Sequence, residues 1–251
     1  MTGSRWAGIT LPVDSERLVG SVKHHVRHLV VVTAHADWPA HLEEGQDLAA
    51  HLVRAVEEQG EDGRLPIKVT AAAPFGAAPS VAPASVAAQS TPQAADGSDV
   101  LVFPDMLRHR AVRAEQAAAL VSRYSGIGAA SLAAELPAVA RLNGRHLIVC
   151  VHGARDERCG STGPPLLSAL ADEVGERALG DVSLYGGSHV GGHKFAGCLL
   201  AFPSGDWYGQ LSAASAAEVV GECVVADRIL TQHWRGRVGL TAEAQLAASA
   251  G

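Results

Sequence analysis

The stretch HLIVCVHGARDERCGSTGPPLLSALADEVGERA, residues 146–178, contains the pattern that decides the fold class. It opens with HLIVCV, a β-branched apolar run typical of a buried strand, and Gly153 and Gly160 then mark a loop. From about Pro164 to Ala178 the apolar residues recur at helical spacing. A strand, a glycine-containing loop and a helix in this order predict an α/β unit.

The sequence after this unit predicts further strands that end in a hairpin. A strand is predicted at about 181–185, then a glycine-rich loop, a strand at 198–202, a turn at 203–206, an extended segment to 211 and a helix at 213–230. Asn143 and Gly144 are typical of a helix stop and begin this part of the chain. Residues 143–251 are therefore predicted to form a small α/β domain of thioredoxin-like outline.

Residues 1–142 predict a smaller α/β domain in front of it. The predicted elements are strands at 28–34, 67–73 and 99–104 and helices at 46–58, 111–123 and 130–141. Residues 71–97 consist almost entirely of Ala, Pro, Ser, Val, Gln and Gly. Such a segment buries too little surface to offset the entropy of ordering it, so it is predicted to be a flexible insertion.

The composition of the chain limits the functions that it can have. Acidic residues outnumber basic ones 26 to 20, which leaves no general basic surface for nucleic acid. The first 20 residues lack the apolar segment of a secretory signal, and no later run is long enough to cross a membrane, so a cytoplasmic location is expected. Four cysteines in such a chain indicate metal binding or redox chemistry more than disulfides.

Two motifs contain the residues suited to that chemistry: CVHGARDERCG at 150–160 and GGSHVGGHKFAG at 186–197. Cys150 and Cys159 are separated by eight residues, and His189 and His193 are four residues apart in a glycine-rich loop. A single pair of either residue type is more often a pair of buried thiols or ordinary histidines. Both pairs together, carried on glycine-flanked loops, favour a metal site.

The identity of the metal stays open at this point. A structural zinc ion also takes two cysteines and two histidines, and the histidine spacing suits it. Zinc cysteines are normally two to four residues apart, whereas eight residues intervene here. The wide loop favours a larger prosthetic group without excluding zinc.

The two motifs, together with AFPSGDWYG at 201–209 and WRGRVGL at 234–240, resemble the sucrase/ferredoxin-like family. This family is a branch of the thioredoxin-like [2Fe–2S] ferredoxins in which a histidine pair replaces a cysteine pair. Family members often have adjacent cysteines at the second thiol position, whereas Arg158 precedes Cys159 here. A weaker resemblance covers about Glu16 to Pro39, for which a degenerate thioredoxin-like fold is one interpretation.

The resemblance implies a [2Fe–2S] cluster bound by Cys150, Cys159, His189 and His193, with both histidines on one iron. It implies a one-electron carrier whose redox step is coupled to a proton and whose partners are redox proteins, a reductase and an acceptor that the sequence does not identify. The residues expected to support the ligands, also at motif positions, are His152, Arg155, Asp156 and Ser188.

Other interpretations of the sequence are kept beside this one. A structural Cys2His2 zinc module without redox activity is the alternative. Sucrase activity has no support, because no acidic pair has motif-like surroundings, and a thiol oxidoreductase would need a Cys-x-x-Cys that the chain lacks. Cys198 and Cys223 are interpreted as buried small hydrophobes, and the cluster His24, His25 and His28 as solvated. The sequence leaves the oligomeric state and the role of the N-terminal domain open.

Overall fold

A computed structural model describes residues 18–60, 66–76, 97–125 and 136–249 of the chain. Its strands are β1 (Arg27–Val32), β2 (Ile67–Phe75), β3 (Ser98–Phe103), β4 (Leu107–Val112), β5 (Val139–Arg141), β6 (Arg145–Cys150), β7 (Val182–Gly187), β8 (Leu199–Phe202), β9 (Asp206–Tyr208) and β10 (Trp234–Arg237). Its helices are α1 (Leu48–Gln59), α2 (Ala117–Ser125), α3 (Glu157–Glu176), α4 (Ala216–Val219) and α5 (Ala242–Ser249), and a π-helical turn (Val220–Val225) continues α4. None of the described helices is both long and apolar enough to cross a membrane.

The described strands form one mixed sheet in the order β10-β9-β8-β6-β7-β2-β1-β3-β4-β5. The pairs β6/β7 and β1/β2 are parallel, and the other neighbours are antiparallel. Parallel pairs joined through a helix, together with antiparallel hairpins, make this a mixed α/β protein. The predicted fold class is confirmed.

The two halves of the sheet have the same topology. In the C-terminal half β6, α3 and β7 form a parallel βαβ unit, the hairpin β8–β9 and α4 follow, and the strand order is β7-β6-β8-β9. This is the thioredoxin-like outline. In the N-terminal half the corresponding elements along the chain are β1, α1, β2, β3, β4 and α2. The strand order in this half of the sheet is β2-β1-β3-β4. The halves join where β2 pairs antiparallel with β7, and the division into two domains at residue 142 stays a prediction.

The predicted flexible insertion at 71–97 is wrong at its start. Residues 71–75 belong to β2, and Ala71 and Ala72 have no exposed surface. Ala72 pairs with Val32 of β1 and Gly187 of β7, so strands on both sides supply the burial and hydrogen bonds that composition alone does not reveal. Residues 77–96 lie outside the described part of the chain.

Three helix predictions also differ from the structure. Strand β4 includes the first two residues, 111 and 112, of the helix predicted at 111–123. The last three residues of the helix predicted at 130–141 form β5, and residues 130–135 lie outside the described part of the chain. Helix α3 begins at Glu157, not Pro164, because the Asp156 carboxylate accepts from the Arg158 N–H and caps the helix. Prolines 164 and 165 lie inside the helix, although proline is usual only in a first turn.

The alternation of side chains along β6 separates two layers of core. Leu147 and Val149 pack toward α3 and α4, whereas Ile148 and Cys150 belong to the layer on the opposite face. That second layer also includes Val30 and Phe103 from the N-terminal half. The cysteine therefore lies in a core that both halves build together.

Candidate metal centre

Cys150 and Cys159 meet because a strand end and a helix start lie side by side. Cys150 is the last residue of β6, Cys159 lies in the first turn of α3, and each is 1% exposed. The helix approaches the strand closely at Gly163, where a Cβ atom would overlap the carbonyl oxygen of Cys150. Only glycine permits this approach, so the backbone fixes the position of both thiols.

The histidine loop, residues 188–193, follows β7 and is anchored at its start. Ser188 donates from its N–H to the Ala71 carbonyl at 2.8 Å, and its Oγ accepts from the Ala71 N–H at 3.0 Å. The His189 N–H donates to Nδ1 of His152 at 3.1 Å. Because β6 and β7 are parallel, their carboxyl ends bring this loop to the same edge of the sheet as Cys150.

The structure brings three of the four predicted ligands into one group. One ligand atom each of Cys150, Cys159 and His189 lies within 4.8 Å of the others. His193 stands beside this group: its ring centroid is 5.4 Å from that of His189, and its side chain is 45% exposed. The thiols are thus enclosed and the second histidine lies at the solvent edge.

The two thiols are electrostatically coupled. A hydrogen bond from the Cys159 thiol holds the pKa of Cys150 well below its usual range, and His189 and the backbone N–H groups of Val190 and His152 also donate to the Cys150 sulfur. The same hydrogen bond, together with burial, raises the pKa of Cys159. A thiolate is therefore stabilised at Cys150, and thiolates are the form in which cysteines bind metals.

The histidines have the free ring nitrogens that a metal group requires. Nδ1 of His189 and Nδ1 of His193 are buried and have no hydrogen-bond partner among the described residues. Buried polar atoms normally have a partner. Two unpartnered imidazole nitrogens beside two thiols fit a group that accepts sulfur and nitrogen ligands, either a Cys2His2 iron–sulfur cluster or zinc.

His152 supports the ligands without being free to act as one. Its Nδ1 accepts from His189, so the ring proton is on Nε2, which donates to the Trp38 carbonyl at 3.3 Å. Burial lowers the pKa of His152, which favours this neutral form. One ring nitrogen thus holds the histidine loop, and the other joins His152 to the segment that follows β1.

Arg155 and Asp156 lie at the outer side of the site. The exposed Arg155 guanidinium donates to the His41 imidazole, and no contact joins it to a cysteine in the described structure. Asp156 caps α3, and the Arg158 guanidinium lowers the pKa of Asp156 to about 2. Its Oδ2 is 3.8 Å from Nδ1 of His193, too far for a hydrogen bond.

Arg235 is a residue of the site that sequence reasoning missed, although it lies in the WRGRVGL motif. Its side chain is 1% exposed and donates to the Gly191 carbonyl at 3.0 Å, the Cys198 sulfur at 3.4 Å and Ser21 Oγ at 3.0 Å. Burial lowers the pKa of Arg235. Gly192 has φ of 77°, and a Cβ there would overlap this guanidinium. The arginine therefore underlies the histidine loop.

The remaining cysteines and the N-terminal histidines have other surroundings. Cys198 and Cys223 are buried, as predicted, and burial raises the pKa of Cys198 to about 11. The interpretation of the N-terminal histidine cluster as solvated is wrong for His25 and His28, which are 5% and 0% exposed. They pack against Trp207, a long-range contact that local sequence does not reveal.

Comparisons with known proteins give a family and several partial relatives. The family model described as sucrase/ferredoxin-like matches residues 18–236. The protein named altered inheritance of mitochondria protein 32 from Debaryomyces hansenii is 36% identical over 97 residues, which are 37% of this chain and 35% of that protein. The protein of the same name from Clavispora lusitaniae is 33% identical over 94 residues, 36% of this chain and 34% of that protein.

Among solved structures, a thioredoxin-like [2Fe–2S] ferredoxin from Aquifex aeolicus is similar to part of the chain. The identity is 13% and the TM-score 0.36, and the match covers 38% of this chain and 93% of the ferredoxin. The matched region of this chain spans about a third of each of the two yeast proteins.

Proposed function

Because the chain belongs to the sucrase/ferredoxin-like family, we propose that it binds a [2Fe–2S] cluster through Cys150, Cys159, His189 and His193 and transfers single electrons. The observation that carries this proposal is the grouping of two thiols and one imidazole within 4.8 Å, with a second imidazole beside them. The unpartnered Nδ1 atoms of both histidines support it further.

The cluster would supply one-electron redox chemistry when bound. The chain's own contribution is to stabilise the ligands in the required protonation state. The backbone N–H groups of Val190 and His152 donate to the Cys150 sulfur and favour the thiolate. The burial of both cysteines excludes water from the thiol side, whereas the half-exposed His193 leaves a solvent edge where a redox partner could approach.

Proton coupling is part of the proposal. Nδ1 of His193 is buried and unpartnered, and the side chain is nevertheless 45% exposed, so the other ring nitrogen can exchange a proton with water. Release of that proton would be favoured in the oxidised state, so the midpoint potential is expected to fall as pH rises, by at most about 59 mV per unit for each proton coupled to one electron.

Metal analysis tests the proposal directly. Protein purified without oxygen is expected to contain about two iron and two acid-labile sulfide per chain. Film voltammetry between about pH 5 and 10 then tests the proton coupling across the range of a perturbed imidazole. Protein that contains no sulfide would contradict the cluster assignment, whatever its iron content.

A structural zinc site is the second candidate, and one observation favours it. Three ligand atoms within 4.8 Å of one another also suit a single tetrahedral ion. One zinc per chain, with no sulfide and no visible absorbance, is the result that this alternative predicts.

The partners and location of the protein follow as proposals of the same kind. A one-electron carrier requires a reductase and an acceptor. Pull-down from a lysate identifies them when the wild-type protein is compared with a variant altered at the exposed His193 edge. The cytoplasmic location expected from the sequence stays a proposal, and cell fractionation tests it. The names of the yeast relatives refer to mitochondria, and the fractionation experiment decides whether this chain is cytoplasmic.

A further inference from the structure

A cleft of about 840 Å³ lies beside the histidine loop. Its walls come from residues 21–25 and 66–68 of the N-terminal half and from His189, Trp207 and Arg235 of the C-terminal half. Clefts of roughly 300–1,000 Å³ between two structural units are the usual sites for small molecules. The size and position of this cleft therefore suit a small ligand.

The charge of the cleft is opposite to that of the chain. The chain has a formal charge of −6, yet Lys23, Lys68, Arg155 and Arg235 line the cleft and no Asp or Glu is among the described residues that do so. Two of the three lysines in the sequence lie here. His25 adds no charge at neutral pH, because burial lowers the pKa of His25 to about 4.

Two of these cations are held without a carboxylate partner among the described residues. Lys68 has no carboxylate partner in the described structure, and its Nζ lies 5.8 Å from the centroid of the Trp207 ring. Burial and repulsion from Lys23 lower the pKa of Lys68 to about 8, and attraction to the Cys150 sulfur offsets part of this effect. Arg235 donates only to neutral groups in the described chain. Arg235 is buried and Lys68 is half-buried, and cations in such positions normally have an anionic partner, so this arrangement is costly in the free protein.

An unpartnered donor in the cleft wall points to the same ligand chemistry. Trp207 is 2% exposed, and its Nε1 atom has no hydrogen-bond partner among the described residues. An indole N–H can only donate, so its missing partner is an acceptor. The Arg235 guanidinium lies 5.8 Å from the same ring. The cations and the free donor therefore belong to one wall.

We propose that the cleft binds a small molecule through a carboxylate or phosphate group held by Lys68, with Lys23, Arg235 and Trp207 around it. In its oxidised state the cluster proposed above would not neutralise these cations, because the charges of two ferric ions, two sulfides and two thiolates cancel. A Cβ placed on Gly191 would be 3.9 Å from Nζ of Lys68, so the anion would lie next to the histidine loop. The ligand is a separate molecule, and its binding does not depend on the identity of the metal.

Calorimetric titration of the metal-loaded protein with inorganic phosphate and, separately, with glutarate tests the proposal and distinguishes the two kinds of anion. One binding site per chain is expected for at least one of them. Lys68→Gln is expected to weaken that binding by about tenfold or more, because it removes a charge-assisted hydrogen bond to the anion. Lys194→Gln is the matched control, because Lys194 is exposed, lies outside the cleft and carries the same charge. It is expected to change the affinity less than twofold.

Three outcomes would overturn the proposal: no binding of either anion, equal weakening by the Lys68 and Lys194 replacements, or binding that Lys68→Gln leaves unchanged. If Lys68→Gln does not fold by circular dichroism, Lys23→Gln at the exposed rim replaces it and should weaken binding by about two- to fivefold. Iron and sulfide are measured on the same samples. Failure of the cluster assignment and failure of anion binding are therefore recorded independently.

Discussion

Alanine at Gly192 should destabilise the protein considerably more than alanine at Gly191. Both residues have positive φ, 77° and 97°, and an L-residue in that region costs about 1–2 kcal/mol at either position. The surroundings differ: a Cβ at Gly191 meets only Nζ of Lys68 at 3.9 Å, whereas a Cβ at Gly192 overlaps the buried Arg235 guanidinium. Moving that group would break its hydrogen bond to the Gly191 carbonyl and its contact with Cys198. Hydrogen bonds of charged groups contribute about 1.5–3 kcal/mol, so the Gly192 variant should lose about 2–3 kcal/mol more.

Urea unfolding followed by circular dichroism measures this difference from the shift in midpoint at constant slope. A double-mutant cycle identifies its cause: in an Arg235→Met background, the cost of Gly192→Ala should fall to that of Gly191→Ala. Equal destabilisation by the two alanines in the wild-type background would refute the contact between the guanidinium and the loop. An unchanged difference in the Arg235→Met background would refute it as well.

Acidification, removal of the loop anchor and removal of single thiols give three more tests. The pKa of His25 is about 4 in the folded chain, because burial lowers it from 6.5, so between these two values the unfolded chain binds more protons. The stability that this difference contributes above pH 6.5 is therefore lost as the pH falls toward 4. Between pH 7 and 5 His25 alone should lower the free energy of unfolding by about 2 kcal/mol, beside the contributions of the other histidines whose pKa burial lowers; His25→Phe should remove that part of the profile, and an unaltered profile in the variant would contradict the assignment. The His152→Asn variant should retain iron better than His152→Gln, because an asparagine oxygen can replace the Nδ1 that accepts from the His189 N–H. Equal iron loss in both variants would count against the role of His152 in holding the histidine loop. Cys159→Ser should abolish iron retention while Cys198→Ser retains iron with an intact visible spectrum, and loss of iron from the second variant would contradict the proposed ligand set.

The grouping of Cys150, Cys159 and His189 could be predicted from the sequence because it depends on local order. Each motif follows a strand, and the two strands are parallel neighbours, so both motifs emerge at the same edge of the sheet. Arg235 could not be placed in this way. It contacts Gly191 across 44 residues of sequence, and no spacing rule relates the two.

The errors in the fold have a common physical origin. Composition predicts an insertion at 71–75 and periodicity predicts a helix at 139–141, yet both are strands because neighbouring strands pair with them. Alanine has little intrinsic preference for strands, and Ala71 and Ala72 are strand residues because their small side chains fit a fully buried central position. Tertiary pairing outweighs local propensity at both places.

The shared topology of the two halves indicates what the N-terminal half contributes. Strands β1 and β6 read RHLVVV and RHLIVC, so Val32 occupies in the first half the position that Cys150 occupies in the second. A valine cannot bind a metal, and the first half has no thiol at this point. Instead it supplies two anchors of the site: the Trp38 carbonyl accepts at 3.3 Å from His152, which in turn accepts from the histidine loop, and the Ala71 backbone bonds to the start of that loop at 2.8 and 3.0 Å. Because these anchors reach the loop only while β2 remains paired with β7, the continuous sheet itself holds the candidate ligands in position.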